Sequence, residues 1–230
     1  MREAMDSDRP SRCDKGFFNT GLIELGDRPP DTQSRTLIVS GIARGGTSMV
    51  AKLLVTAGVF MGERHDQVVF EDIDIAACLR SPNRKALRRI IASRNAAHPV
   101  WGFKRPQLRE LLQPRELAMF RSPRLILVLR DPVAVAQRNV VSMYAAARAE
   151  LHSAVAALGA EVRLATTAPC PTLLVSYEKA LLFPTRFVPR LMAFCGLATS
   201  ADALAKVIDA EAKDYRMTTH LHPEGALVRE

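Results

Sequence analysis

The sequence predicts an α/β fold in three layers, with a central parallel sheet of about four or five strands between layers of helices. Three observations predict it. Short apolar runs of strand length alternate with runs of helical spacing along most of the chain, the order that a parallel sheet covered on both faces requires. The run Leu125-Ile-Leu-Val-Leu129 has no polar alternation, as in a strand buried on both sides. The first strand-like segment passes through Gly41-Ile-Ala-Arg-Gly-Gly46 into an apolar stretch of helical spacing.

Taken in order, residues 1–34 read as a polar, partly disordered arm with Pro10, Pro29 and Pro30, part of which Phe17, Phe18, Leu22, Ile23 and Leu25 could dock. The folded unit is expected over 35–212 and a polar tail over 213–230. Strand one is 36–40, and a helix over 47–57 is stopped by Gly58. A short apolar piece at 59–61 precedes a polar loop, and helical runs follow at 73–79 and 83–95. Residues 99–103 read as a second strand. The stretch 107–120 reads as a helix interrupted near Pro114, and 124–129 as a strand. Asp131 then suits an N-cap and Pro132 the first helical turn. The Ala-rich helix they open is expected to continue to Leu158 and end at Gly159. Residues 171–176 form the last strand, Tyr177 and Glu178 head a short helix, and helices over 184–195 and 201–212 complete the unit.

Composition sets limits. A chain of 230 residues, 48% hydrophobic and 24% charged, suits one globular domain. Cys13, Cys78, Cys170 and Cys195 are far apart and contain no C-x-x-C pair, which disfavours a disulfide framework or zinc site and fits a cytoplasmic location. No apolar stretch is long enough to span a membrane, and the charged N-terminus does not read as a secretory signal. The net charge is +8, yet the segment 80–130 alone carries thirteen Arg or Lys against two acids, Glu110 and Glu116, a net of +11. That excess reads either as a solvated arginine-rich face or as a field for an anionic ligand. Aromatic content is low and no nucleic-acid module is discernible, so nucleic acid is not an expected partner.

The glycine loop carries the chemistry. A loop of this kind points backbone N–H groups and a helix N-terminus at one spot, which suits a phosphate. Gly41, Gly46 and Ser48 keep the spacing of the nucleotide-triphosphate loop G-x-x-x-x-G-K-[S/T], but Thr47 stands where its lysine should be. The unit is therefore P-loop-like without the side chain that reaches β and γ phosphates, and Arg44 is the cation inside the loop. Ligands in such sheets bind beyond the C-terminal ends of the strands. Arg44, Lys104, Arg130 and Tyr177 each follow a predicted strand, so the fold is expected to gather them at one edge.

The ordered set of motifs resembles the sulfotransferase family, bacterial type. Ser40-Gly-Ile-Ala-Arg-Gly-Gly-Thr-Ser48 is similar to the family's 5′-phosphosulfate loop, and Leu127-Val-Leu-Arg-Asp-Pro132 to its 3′-phosphate strand end. Val175-Ser-Tyr-Glu178 resembles the downstream Tyr-Glu element, and Trp101-Gly-Phe-Lys104 the strand-end lysine segment. The likeness spans residues 37–195. It implies transfer of a sulfuryl group, in line, from 3′-phosphoadenosine 5′-phosphosulfate (PAPS), leaving 3′-phosphoadenosine 5′-phosphate (PAP), with no metal required. It further implies that Gly45, Gly46, Thr47 and Ser48 hold the 5′-phosphate and that Arg44 stabilises charge on the bridging oxygen. Arg130 becomes the 3′-phosphate ligand through bidentate contacts, with an ion pair to Asp131 or Glu178 as the alternative. The family commonly has a serine eight residues later; this chain has Arg138, with Ser142 one turn on as a possible substitute.

A hydroxyl acceptor also needs a base. Glu71 is the first candidate and His65 the second, although Glu71 and Asp72 read equally as helix N-terminal acids. Lys104 is expected at the sulfuryl group or at an acidic acceptor. Tyr177 is either a nucleotide contact or core, and Trp101 reads as core. The acceptor is expected to be a small molecule or glycan, and the basic stretch 80–130 fits an anionic one. Two other functions compete: a nucleotide-dependent phosphotransferase with a degenerate loop, and a non-catalytic nucleotide-binding scaffold.

Overall fold

The computed structural model describes residues 19–27, 33–63, 70–81, 84–143, 145–198 and 201–217; of 142, 143, 201, 202 and 214–217 it describes the backbone alone. Five strands form one sheet: β1 (Leu22–Leu25), β2 (Arg35–Gly41), β3 (Val100–Lys104), β4 (Pro123–Leu129) and β5 (Thr172–Ser176). Their spatial order is β1-β5-β4-β2-β3. β2, β3, β4 and β5 pair in parallel, and β1 adds antiparallel on the edge of β5. Part of the N-terminal arm thus docks through Leu22, which is buried, while Ile23 points out and is 57% exposed.

Alternation along the strands divides the core into two layers. Leu37, Val39, Ile126 and Val128 face one side, where α1 (Thr47–Thr56), α6 (Tyr177–Leu182), α7 (Pro184–Cys195) and α8 (Ala201–Met217) pack. Ile38, Leu125 and Leu127 face the other, beneath α2 (Ile73–Arg80), α3 (Arg84–Ala97) and α5 (Ala147–Thr167). Every residue of β2 is buried, as a central strand with helices on both faces requires. Trp101 is fully buried, and its indole N–H donates to Asn95 Oδ1 at 2.9 Å, so it belongs to the core.

Three expectations need correction. The stretch 107–120 forms two short 3-10 helices, Leu108–Glu110 and Pro114–Met119, not an α-helix. Pro114 supplies no N–H, and a capping box between Gln113 and Glu116 starts a separate turn there. The Ala-rich helix is in fact two, α4 (Pro132–Met143) and α5, and Gly159 lies inside the second. Asn139 Nδ2 donates to Glu150 at 2.8 Å, and Val135 packs on Ala154, so the two helices run back along each other. That packing breaks a run of strong helix formers that carries no local stop signal. A mid-helix glycine costs only about 1 kcal/mol against alanine, which α5 tolerates. Finally, α8 extends to Met217, beyond the expected 212.

The chain leaves β2 through the glycine loop into α1 on one face. It leaves β4 into α4 and α5 on the other. Adjacent parallel strands with connections to opposite faces leave a crevice at their C-terminal ends, between β2 and β4.

Candidate anion site at the strand ends

The loop after β2 closes on itself before it meets the helix. The Gly45 N–H donates to Ile42 O at 3.0 Å, so this turn uses one of the backbone donors that the sequence assigns to a phosphate. Gly46 caps α1 in a left-handed conformation, φ 86°. It also lies flat against the Tyr177 ring, into which any Cβ at this position would project. Glycine answers both demands. Thr47 and Ser48 open α1, where backbone N–H groups lack intrahelical acceptors. Arg44 has φ 61°, and its side chain is exposed beside the crevice.

Arg130 comes from the end of β4 and is buried. Its Nη1 donates to Arg44 O at 2.7 Å, and its guanidinium stands over the Tyr177 ring, 4.9 Å from the centroid. It therefore ties the second strand end to the loop. The acids beside it are engaged elsewhere: Glu178 Oε1 accepts from the Asp131 N–H at 3.0 Å, and Asp131 Oδ1 accepts from the Val133 N–H at 2.9 Å as the N-cap of α4. Arg138 is half-buried two turns into that helix. Its pKa is lowered, first by burial and then by the charges of Arg130 and Arg44. The charges of Arg130 and Arg44 thus both reach Arg138, a repulsion that an anion among them relieves. Ser142 lies on α4, with its side chain outside the described residues, and His65 falls outside them altogether.

Tyr177 is fully buried, which matches the packing alternative. Burial, then its hydrogen bond to Glu211, push its phenol well above the ordinary range. It stays protonated and donates to Glu211 Oε1 at 2.6 Å.

A second cluster lies on the β3 side of the α1 N-terminus. Lys104, buried at the end of β3, donates from Nζ to Ser48 Oγ at 3.2 Å. Glu71 meets Lys104 at 3.7 Å and Arg105 at 2.6 Å. The structure thus brings Lys104, Ser48 and Glu71 together, and engages both Glu71 oxygens with cations. Phe70, just before it, sits at φ 56°, a conformation bulky residues rarely adopt. Asp72 is no candidate base: it is buried, caps α2 by accepting from the Ile75 N–H at 2.9 Å, and pairs with Arg94.

Two acids in this region escaped sequence reasoning. Glu161 on α5 is fully buried, and Arg109 Nε lies 3.6 Å from its Oε1. Burial pushes its carboxyl up to about 7, against the opposing effects of Arg109 and Ser40, the residue that precedes the loop. The signal was a glutamate in the apolar register of Ala154 and Ala165, but a helix ended at Gly159 hides it. Glu211 gave no signal, because α8 carries acids along its whole length.

No protein-family model matches the chain, and no curated protein matches it in sequence. Among solved structures, it is similar to the sulfotransferase domain of the Synechococcus PCC 7002 olefin synthase. The TM-score is 0.54 at 17% identity, covering 84% of this chain and 91% of that one. The chain has a sulfotransferase-like fold. Retinol dehydratase in complex with androsterone and the inactive cofactor PAP matches with TM-score 0.48 and 16% identity, over 81% of this chain and 67% of that one. A sulfotransferase from Alicyclobacillus acidocaldarius matches with TM-score 0.44 and 16% identity, over 80% and 98%. Within the sulfotransferase-like fold, the glycine loop and the ends of β3 and β4 form the crevice just described.

Proposed function

We propose that this chain is a sulfotransferase that moves a sulfuryl group from PAPS to a hydroxyl acceptor, a small molecule or glycan. One observation carries the reading: Arg44, Arg130 and Arg138 gather at a glycine loop whose lysine position holds Thr47. Such a crevice suits a ligand with two separated anionic groups and no accompanying metal. The residues fit the donor. Gly46, Thr47 and Ser48 would hold its 5′-phosphate, while Arg130 and Arg138 would hold its 3′-phosphate.

The donor, when bound, supplies a sulfuryl group whose S–O bond to phosphate breaks as the acceptor oxygen attacks. Arg44 keeps its proton at any ordinary pH, so its contribution is electrostatic, on the oxygen that gains charge. Lys104, beside Ser48, neutralises charge on the acceptor side. Glu71 is the base of this proposal, accepting the acceptor's proton. It would have to loosen from Arg105 to do so, and acceptor binding beside Lys104 provides the occasion. A phosphotransferase is less well supported, because the strand-end acid Asp131 is committed to capping α4.

The test is calorimetric titration with PAP, with and without a chelator. Binding that survives the chelator, with a raised melting temperature, is expected. No binding at millimolar PAP would refute the donor. Transfer of radiolabelled sulfate from PAPS to metabolite, glycan and lipid fractions then tests the acceptor class.

A further inference from the structure

The anion site contains its own negative charge. Glu211 comes from α8, 34 residues beyond Tyr177, and accepts a 2.6 Å hydrogen bond from the Tyr177 phenol. The same ring supports the Arg130 guanidinium on its face and abuts the backbone of Gly46. Glu211 is thus anchored to the platform on which the loop and Arg130 rest. Its charge reaches further than the contact, since it offsets part of the repulsion that Arg138 feels from Arg130 and Arg44. The structural role of this bond, fastening α8 to α6, needs only an acceptor oxygen, and a glutamine would serve. A full charge acting on Arg138, and held on the ring beneath Arg130, opposes every anion that enters.

We propose that Glu211 is an internal counter-ion of the site, a positioning residue that weakens nucleotide binding so that the 3′-phosphorylated product leaves. This rests on the functional reading above, but its electrostatic part concerns anions of any kind. The charge of Glu211 competes with an incoming phosphate for Arg138 and for the Arg130 platform. Tyr177 holds it within range, and the carboxylate offsets part of the site's charge when the nucleotide departs.

The experiment compares wild type, Glu211→Gln and Tyr177→Phe. PAP and inorganic pyrophosphate are titrated separately, and PAP dissociation is followed by stopped flow. Glu211→Gln keeps an acceptor for the phenol and removes one charge, so the dissociation constant for both probes should fall by roughly threefold to tenfold. Slower PAP release should carry the change, because such differences reside mainly in dissociation. Tyr177→Phe unhooks Glu211 without changing the chain's charge and should tighten both probes less. It also keeps the proposal testable if the glutamine variant does not fold. Loss of a merely structural contact weakens binding; relief of charge repulsion tightens it. Unchanged or weaker binding of both probes to the variants overturns the proposal. If pyrophosphate binds tighter in the variants while PAP binds none of the three proteins, Glu211 keeps its role and the PAPS reading fails.

Discussion

The two ends of the sheet use arginine in opposite ways. At the N-terminal ends of the strands, guanidiniums spend their donors on backbone carbonyls. Arg124 donates to Phe194 O near the end of α7. Arg121 donates to Asn95 O at 2.7 Å, His98 O at 2.6 Å and Pro99 O at 2.8 Å, where α3 ends. These arginines satisfy the carbonyls that helix ends leave open. At the C-terminal ends, the charges of Arg130 and Arg44 act on Arg138, and the Glu211 carboxylate acts against them. The comparison also accounts for part of the basic segment 80–130. Arg84 pairs with Glu116, Arg94 with Asp72, Arg105 with Glu71 and Arg109 with Glu110. A count of arginines therefore locates no ligand; like charges acting on one another do.

The sharpest way to break the comparison is Arg44→Ala, which should lower turnover about 100- to 1,000-fold, the usual loss for a transition-state charge contact. Thermal melts should barely move, because the side chain is exposed. Steady-state kinetics decide it: normal turnover with only a changed donor KM would remove Arg44 from the chemistry.

Glu161 tests the region beneath the loop through pH. Its carboxyl lies near 7 in the folded chain, against an ordinary value of 4.5, so the unfolded chain loses this proton first as pH rises. The folded form's advantage from this group is complete below about 4.5 and is lost as pH climbs through about 7, a change on the order of 3 kcal/mol. Denaturation from pH 4 to 8 should show that decline in wild type. Glu161→Gln should flatten it and be the more stable protein at pH 8. Parallel pH profiles for the two proteins would place the proton elsewhere.

Arg130→Ala and Arg124→Met form the direct contrast between the sheet ends. Arg130→Ala should weaken PAP by about 1.5–3 kcal/mol, the range for hydrogen bonds to charged groups. An analogue without the 3′-phosphate should suffer far less, and equal losses would assign Arg130 to another part of the nucleotide. Arg124→Met leaves the Phe194 carbonyl buried without its donor, costing about 1–3 kcal/mol of stability, and should leave the PAP dissociation constant unchanged. A shift in that constant would mean the two ends communicate.

The smallest effect is expected at Glu71. With both oxygens held by cations, Glu71→Gln should lower turnover by about tenfold or less, below the usual range for a general base, most visibly toward low-acidity hydroxyl acceptors. Retained full activity across the pH range would exclude it as the base.

Much of the architecture was legible without coordinates, because it rests on local chemistry. The unbroken apolar run at Leu125 to Leu129 requires burial on both faces, and Asp131-Pro132 starts a helix wherever it stands. The glycine loop and the strand-end positions of Arg130 and Lys104 follow from the same local rules. Three features came only from long-range packing. The break between α4 and α5 lies in a stretch without helix breakers and comes from the two helices packing on each other. The pairing of Asp72 with Arg94, and of Arg84, Arg121 and Arg124 with distant acids or carbonyls, depends on which elements become neighbours. Tertiary structure alone also brings Glu211 to Tyr177 and buries Glu161 beneath Ser40. A residue's type sets its charge, but the partners that neutralise or oppose that charge are chosen by chain segments distant in sequence and close in space.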